Sequence, residues 1–398
     1  MSAPLDSLAA LLDPVSEAEF FADYFDRRPL HVPAPRPDKL ADAVSWPVLT
    51  RLLNMSGVWS PTTLRLQRDG RQVPPPEYCR EDHSREGQYG LLPDAPKVLD
   101  LLRDGAALIA NDIDTLHPGL MTVAGMLETA FGAKTQANLY CSWEDRQAFV
   151  THFDSHAVFA LHGEGEKVWR IYANRVERPV AHPMFDNIDR EQARRERGEL
   201  LMEVTLRPGD VLYIPRGYYH DALASSAGAV HVAFGVTHPN GVDLVNLLPT
   251  YAVTDPLFRA YLPLPGSEAG ALRAQLHGLA DRLSEVLKSE TMLEQVQRFQ
   301  AGYRYPRGGY ELPGAILAQR YTLNASDALV VAEGAQQVLR TRRGSVPIPD
   351  GLSPMVAWVA DRPGFTGAEF ATEFADVPAA RRDKVLTDLV AMKVIVAA

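Results

Sequence analysis

One short motif, His152-Phe153-Asp154, constrains this 398-residue chain more than any other part of its sequence. It lies in a strand-like stretch, where alternation places the imidazole and the carboxylate on the same face. Two side chains so placed can be two corners of a 2-His-1-carboxylate triad, which holds non-haem Fe(II) and leaves positions open for a co-substrate and oxygen. The motif alone is weak, because about one H-x-D is expected by chance in a chain of ordinary composition.

A second motif, between Arg207 and His220, supplies the candidate for the third ligand. Pro208-Gly209-Asp210 predicts a tight turn, and the apolar residues 211–214 predict a short strand that ends before Gly217. His220 follows this strand on a loop or a new strand. The two motifs together are much rarer than either alone, which favours a metal site over three unrelated side chains in a β-rich domain.

The sequence around these motifs predicts an α+β protein with a mainly β core. Short strands separated by Gly/Pro turns are typical of a sandwich or barrel such as a jelly roll. From Thr135 the pattern alternates, and the polar face of this strand consists of Gln136, Asn138, Tyr140 and Ser142. Such a face is typical of a solvated sheet surface or of the inside of a ligand-holding barrel, and both interpretations remain open.

Lys167 is the other unusual residue of the predicted β core. It shares a strand face with Trp169 and Ile171. A lysine in an apolar row either extends its ammonium to the surface or meets a buried anion.

Helical patterns lie on both sides of the β core. Residues 16–32 predict a capped amphipathic helix that stops before Pro29, whereas residues 74–76 predict an extended surface segment. A row of leucines at spacings of four, three, four and four predicts a long amphipathic helix that packs on another helix, within the chain or in a partner. This row comprises Leu272, Leu276, Leu279, Leu283 and Leu287. The last part of the chain predicts three short helices and a strand, the order found in winged-helix modules.

Composition excludes several classes of protein. A net charge of −10 argues against nucleic-acid binding but would suit a basic protein partner. No apolar run approaches the roughly 18 residues that would predict a membrane span, and the acidic N-terminus lacks the basic region of a secretory signal. Two cysteines make no disulfide framework, so the sequence predicts a cytoplasmic protein.

The two motifs, in this order and context, resemble the Jumonji-C oxygenases. The similarity is greatest to the cupin-like branch that contains the ribosomal oxygenases, and it spans about residues 15–240. It is carried by N-L-Y at 138–140, H-F-D at 152–154, F-A-L-H-G-E-G-E-K-V-W at 159–169 and P-G-D-V-L-Y-I-P-R-G-Y-Y-H at 208–220.

This resemblance implies a double-stranded β-helix that binds Fe(II) through His152, Asp154 and His220. It also implies that 2-oxoglutarate chelates the metal and that Lys167 pairs with the distal carboxylate of this co-substrate, in a pocket lined by Asn138 and Tyr140. The expected reaction is hydroxylation of a protein or peptide side chain, driven by oxidative decarboxylation of 2-oxoglutarate to succinate and CO2. The branch further implies a homodimer and three parts: a catalytic domain with its helical lead-in (1–245), a helical dimerisation segment (246–305) and a winged-helix-like domain (306–398).

Two departures from the family pattern leave the substrate open. His162 stands where the family usually has glutamine, and residues 143–146 replace a Gly/Pro-rich loop. Both positions are expected near the substrate entrance, although His162 and His156 could equally lie in the core or behind the ligands. The alternatives are a tailoring hydroxylase of a ribosomally synthesised peptide, a non-catalytic cupin-like binding protein and a ligand-sensing transcription factor.

Overall fold

The structure is a computed structural model of the chain. It describes residues 5–68, 70–83, 89–143, 151–186, 190–224, 228–308, 319–325, 328–334, 336–341 and 344–397. The chain divides into two compact units, Met1–Pro306 and Arg307–Ala398.

The β core of the first unit is built from two antiparallel sheets. The strands are β1 (Leu30–Val32), β2 (Leu64–Arg68), β3 (Arg71–Gln72), β4 (Cys79–His83), β5 (Tyr89–Pro93), β6 (Ala107–Ala110), β7 (Lys134–Ser142), β8 (Ala157–Glu164), β9 (Lys167–Arg175), β10 (Leu200–Leu206), β11 (Val211–Ile214), β12 (Tyr218–Ala224) and β13 (Ala229–Thr237). The larger sheet has the order β1-β11-β8-β13-β7-β6-β2-β3, the smaller one β10-β9-β12, and β4 pairs with β5 apart from both. The predicted mainly β core is therefore present.

The two sheets face each other across a cavity. Apolar side chains of both sheets, among them Val158, Trp169, Ile171 and Leu212, form one buried cluster between them. Strands β7, β8 and β13 of the larger sheet and β9 and β12 of the smaller one line the cavity itself. This is the cupin-like arrangement that the sequence predicts.

The alternating strand β7 shows how the sequence produces this arrangement. Its apolar residues Ala137, Leu139 and Cys141 are buried in the main core, and helix α6 (Pro118–Phe131) packs against the strand. Its polar residues Gln136, Asn138 and Tyr140 line the cavity. The polar face of β7 therefore lies on the inside of the barrel, which is the second of the two interpretations.

Short helices cover the larger sheet and connect the strands. Besides α6, they are α1 (Leu8–Leu12), α2 (Glu17–Glu19), α3 (Trp46–Leu53), α4 (Pro75–Tyr78), α5 (Ala95–Arg103), α7 (Pro183–Asp186) and α8 (Arg190–Glu196). Ser16 caps α2 by accepting a hydrogen bond from the Glu19 amide, as predicted, and a π-helical turn, Phe20–Tyr24, continues it. The extended segment predicted for residues 74–76 is wrong, because proline suits the first turn of a helix and here begins α4.

A second group of helices ends the first unit and buries very little. It consists of α9 (Gly241–Ala252), α10 (Pro256–Arg259), α11 (Ala271–Leu287) and α12 (Glu290–Ala301). The predicted leucine helix is interrupted just after Leu287, where the Ser289 hydroxyl caps α12 by accepting from the Met292 amide. No residue of α9, α10 or α11 is buried, and only Met292 is buried in α12.

The second unit has its own core. Its elements are β14 (Arg320–Leu323), β15 (Leu329–Glu333), β16 (Gln336–Thr341), β17 (Gly344–Pro347), α13 (Ser353–Ala360), β18 (Gly364–Thr366), α14 (Gly367–Glu373), α15 (Ala379–Ala391) and β19 (Ile395–Ala397). The sheets are β18-β14-β19 and β15-β16-β17, and the core includes Val356, Phe370 and Leu386. The three helices and the final strand lie within about two residues of the positions predicted for them, which are 353–359, 366–374, 378–392 and 394–396. In the described ranges of both units, no helix is long and apolar enough to cross a membrane.

Candidate active site

The cavity between the sheets brings all the predicted site residues together. It has a volume of about 160 Å³. Its lining includes every side chain that the sequence singled out as a metal ligand or co-substrate contact: Asn138, Tyr140, His152, Asp154, Lys167 and His220. The loop residues 144–146, also singled out, lie outside the described residues.

Three of these side chains form a compact set of metal donors. One donor atom each from His152, Asp154 and His220 lies within 4.8 Å of the others. His220 Nε2 is 3.5 Å from Asp154 Oδ2, and the rings of His152 and His220 are 4.4 Å apart at their centroids. The backbone sets this spacing, because the His152 amide donates to the His220 carbonyl at 3.0 Å and the His220 amide donates back at 2.8 Å.

Burial and neighbouring charges prepare these side chains for a cation. The pKa of His220 falls to about 4, because burial and the neighbouring His152 both disfavour the imidazolium. Its Nδ1 lies 3.0 Å from the Tyr218 carbonyl, so Nδ1–H donates there and Nε2 is left as the free lone pair. Burial would raise the pKa of Asp154, but the surrounding histidines outweigh it and hold that pKa below its usual value. Near neutral pH the site thus offers a neutral imidazole and a carboxylate.

Lys167 lies in the same cavity and is 3% exposed. Burial lowers the pKa of its ammonium to about 8. Among the described residues, only the Cys141 thiol contributes a charge interaction that raises this pKa. The lysine therefore does not reach the surface. Of the two interpretations of its position, the one that remains is that its ammonium meets a buried anion.

Sequence reasoning missed His231. This residue lies on β13, close to Lys167 of β9. Its ring is stacked on Tyr140 at 4.9 Å, the residue is 3% exposed, and among the described residues its Nδ1 atom has no hydrogen-bond partner. Strong desolvation, with Lys167 and His162 close by, pushes the pKa of His231 well below its usual value. The alternation of Val230 to Val236 was the available signal, since it puts His231 on the same face as the small residues of the cavity wall.

His162 lies elsewhere than the family comparison suggested. It is fully buried, its Nε2 is 2.9 Å from the Gly165 carbonyl, and it does not line the cavity. The expectation that it stands near the substrate entrance is wrong, because β8 turns this side chain into the core. The alternative, a core histidine behind the ligands, is correct.

His156 stands between the cavity and a wider groove. The groove has a volume of about 670 Å³, and its walls include Phe25, Val180, Phe185 and Tyr303. His156 lines both spaces. Its ring occupies the place of a side chain at Gly235, because a Cβ atom there would lie 2.2 Å from the His156 Cδ2 atom.

The outer face of the smaller sheet, behind the ligands, carries a buried polar cluster. The Asp221 carboxylate accepts hydrogen bonds from the Thr151 and Tyr172 hydroxyls, both at 2.8 Å. Arg197 Nη1 donates to Tyr172 at 2.7 Å and to Thr151 at 3.2 Å, and lies 3.8 Å from Asp221. We call Thr151, Tyr172, Arg197 and Asp221 the outer cluster.

Helix α8 covers this outer face. Ala193 of α8 is buried with Tyr172 and Tyr219, and the Tyr219 hydroxyl donates to Glu196 at 2.9 Å. The helix is exposed on one side only, because its other side packs on the sheet that carries His220.

Comparison with known proteins defines the class to which this fold and cavity belong. Residues 120–244 match the family described as JmjC domain. The chain therefore contains a JmjC domain, and the resemblance found in the sequence is confirmed.

The individual proteins to which the chain is similar include ribosomal oxygenases. It is 31% identical over 242 residues to ribosomal oxygenase 1 of Gallus gallus, which covers 60% of this chain and 38% of that protein. It is 27% identical over 233 residues to the bifunctional lysine-specific demethylase and histidyl-hydroxylase NO66 of Drosophila willistoni, covering 58% and 28%. The matches thus span well under half the length of these two relatives.

A solved structure shares the fold over almost the whole chain. The X-ray structure of ycfD from E. coli superposes with a TM-score of 0.53 at 16% identity, covering 96% of this chain and 98% of that one.

Proposed function

We propose that this chain is an Fe(II)- and 2-oxoglutarate-dependent oxygenase that hydroxylates a side chain of a protein or peptide. One observation carries the proposal: a His-Asp-His donor set and a buried lysine, whose pKa is lowered by burial, line the same small cavity. A binding protein without catalysis would gain nothing from a desolvated ammonium beside such a donor set.

The donor set fits Fe(II). Two imidazoles and one carboxylate on one side of the ion form the facial triad of non-haem iron oxygenases. His152, Asp154 and His220 would hold the ion, and the Tyr218 carbonyl would keep the Nε2 atom of His220 unprotonated towards it. Bound together, Fe(II) and 2-oxoglutarate supply the oxidising power that transfers one oxygen atom of O2 to a C–H bond and the other to succinate, with release of CO2.

The rest of the cavity fits 2-oxoglutarate. Lys167 would pair with the carboxylate distal to the metal, and the unpartnered Nδ1 of His231 supports a polar ligand at this place. Asn138 and Tyr140 line the same cavity. The Asn138 Oδ1 atom accepts from the Asp112 amide at 3.0 Å, which orients the side-chain amide.

The relatives support a protein substrate. Their names describe ribosomal oxygenases and a histidyl-hydroxylase, and an E. coli relative in fold (TM-score 0.51) is a ribosomal oxygenase solved with cobalt and succinic acid. We propose a ribosomal protein as substrate of this chain as well. The groove that adjoins the cavity at His156 offers room for the polypeptide on both sides of the reacting side chain.

Other properties of the whole protein are also proposed. A homodimer formed through residues 246–305 would cover leucines that are about half exposed, among them Leu272 and Leu276. The order of α13, α14, α15 and β19 supports a winged-helix-like domain from residue 306, after a catalytic domain over 1–245. The buried free thiols Cys79 and Cys141 agree with a cytoplasmic location.

The test is turnover with candidate ribosomal proteins. Purified protein with Fe(II), 2-oxoglutarate and O2 should form succinate and increase the mass of one substrate peptide by one oxygen atom. The Asp154→Ala variant serves as control and should do neither. Equal succinate formation by both proteins would refute the proposal.

A further inference from the structure

We infer that the outer cluster positions the metal ligands from behind the sheet. The inference rests on the proposed function, since it concerns the same metal site, but it assigns a role to residues that never touch the metal or the cavity. Thr151, Tyr172 and Asp221 are buried, with 4% to 6% of their surfaces exposed. These side chains are positioning residues.

The backbone attachment of the first two ligands is slight. Within the described residues, the segment that carries His152 and Asp154 meets β12 in one isolated bridge, His152 to His220. One further backbone hydrogen bond runs from the Gly217 amide to the Asp154 carbonyl at 2.8 Å. A long strand would fix its side chains through many such bonds, whereas this segment needs other attachments to keep its ligands in place.

The Thr151–Asp221 hydrogen bond is such an attachment. Thr151 precedes His152 and Asp221 follows His220, so the two lie side by side on the face opposite the ligands. Their 2.8 Å contact joins the two ligand-bearing segments directly across this face. Loss of the contact would let the His152 segment shift along β12 and change the distance between the imidazoles.

The negative charge of Asp221 stabilises the outer cluster, because it attracts the donors around it. A buried carboxylate is costly unless donors surround it. Two hydroxyls donate to it, and the Arg197 guanidinium stands 3.8 Å away while also bonding to both hydroxyls. The guanidinium carbon lies 4.2 Å from the centre of the Tyr172 ring, which restrains Arg197 further. Thus a residue at the end of α8 supports the geometry of the metal site on the other face of the sheet.

The test measures metal binding in variants that keep the shape of the core. Thr151→Val removes the hydroxyl and little else, whereas Thr151→Ser retains it. The probe is Co(II) alone, titrated without oxygen and followed by its ligand-field absorbance and by calorimetry. Asp100→Asn is the matched control, because Asp100 forms an exposed ion pair with Arg103 on helix α5, outside the smaller sheet.

The inference predicts a graded series. Thr151→Val should weaken Co(II) binding about tenfold to a hundredfold, the range found when supporting residues behind a metal ligand are removed, and should change the absorbance bands. Thr151→Ser should restore affinity and spectrum, and Asp100→Asn should leave both unchanged. Asp221→Asn, which keeps the shape and removes the charge, should weaken binding as well.

Two results would overturn the inference, and they are distinguishable. If the wild-type chain itself bound no Co(II), the proposed function would fail and the inference with it. If the wild type bound Co(II) and Thr151→Val bound it equally with the same spectrum, only the positioning role would be refuted. A lower melting temperature of Thr151→Val with unchanged Co(II) affinity would lead to the same conclusion, since it would reduce the cluster to a purely structural role.

Discussion

The β core buries its apolar residues, whereas the helices α9 to α12 leave most of theirs exposed or partly exposed. In the core, the strands bury their apolar faces completely, as at Leu139 and Phe234, and then also bury charged and polar groups such as Lys167. The helices α9, α10 and α11 bury no residue, and Val245 and Leu276 remain 60% and 52% exposed. Both regions are rich in apolar side chains, but among the described residues those of the core are buried and most of those in the helices are not.

This difference separates what ligand binding requires from what assembly requires. The core excludes water by itself and can therefore hold unpaired donors ready for a charged ligand, because every interaction is stronger away from water. The helices have the amphipathic pattern but not the burial, so their stability must come from contact with something else. Changes in the core should therefore alter ligand binding without altering assembly, and changes in the helices should do the reverse.

The largest effect is expected from removing a metal ligand. Asp154→Ala should reduce Fe(II) or Co(II) affinity by more than the roughly hundredfold loss that follows when a supporting residue behind a ligand is removed. Anaerobic calorimetry measures it, and His220→Ala should behave alike. Light scattering should give the same mass for variant and wild type. A mass that fell with the metal affinity would contradict the independence of core and helices.

A smaller loss is expected at the other end of the cavity. Lys167→Met should weaken 2-oxoglutarate binding by about 2–5 kcal/mol, because it breaks a buried ion pair. Fe(II) affinity should be nearly unchanged, and Lys167→Arg should be milder because a cation is retained. The measurement is an anaerobic titration of the Fe(II) protein, followed by the charge-transfer absorbance. Equal 2-oxoglutarate affinities for the wild type and Lys167→Met would remove the lysine from the site.

In the helices, Leu276→Asp should weaken the proposed dimer. The expected change is about 1.5–3 kcal/mol for each leucine that loses its burial, and light scattering over a dilution series measures it. Ala274→Asp, on the opposite side of α11, introduces the same charge and should leave the dimer intact. Co(II) affinity should not change in either variant. A wild type that stays monomeric at micromolar concentration would show that the helices have another partner.

The smallest effect is a pH dependence of co-substrate binding. Because the pKa of Lys167 is lowered to about 8 in the free protein, its ammonium loses the proton as pH rises past that value. Neutral lysine cannot pair with a carboxylate, so 2-oxoglutarate affinity should fall by about tenfold between pH 7 and pH 9. Calorimetry in buffers of different ionisation heat should show proton uptake on binding above pH 8. The Lys167→Met variant should lack this uptake, and its persistence there would assign the proton to another group.

The sequence predicted the parts of the site that are written in local motifs. Lys167 and His220 lie on strands whose alternation fixes the face of each side chain, and an isolated bridge places His152 opposite His220, with Asp154 two residues further on. Their convergence therefore followed from the fold. The outer cluster could not be predicted, because the hydrogen bond from Thr151 to Asp221 joins residues 70 positions apart in sequence. His231 was missed for a related reason, since a lone histidine in a strand becomes informative only when its neighbours across the sheet are known.

Among the secondary-structure predictions, the errors have local causes. The helix α4 was missed because three consecutive prolines suggested an extended chain, although prolines at the start of a helix lose no hydrogen bond. The leucine row predicted one long helix, but the helix ends at Leu287, because the Ser289 hydroxyl caps the start of a new helix, α12.

The lack of a Cβ atom at Gly235 determines where the His156 ring lies at the edge of the cavity. The His156 ring rests where a Cβ of residue 235 would be, and the same ring forms the border between the cavity and the groove. A single added methyl group, as in Gly235→Ala, must therefore push the imidazole off the wall of β13. The position of the ring that borders both the cavity and the groove is thus set by the backbone of β13 beneath it, as well as by His156 itself.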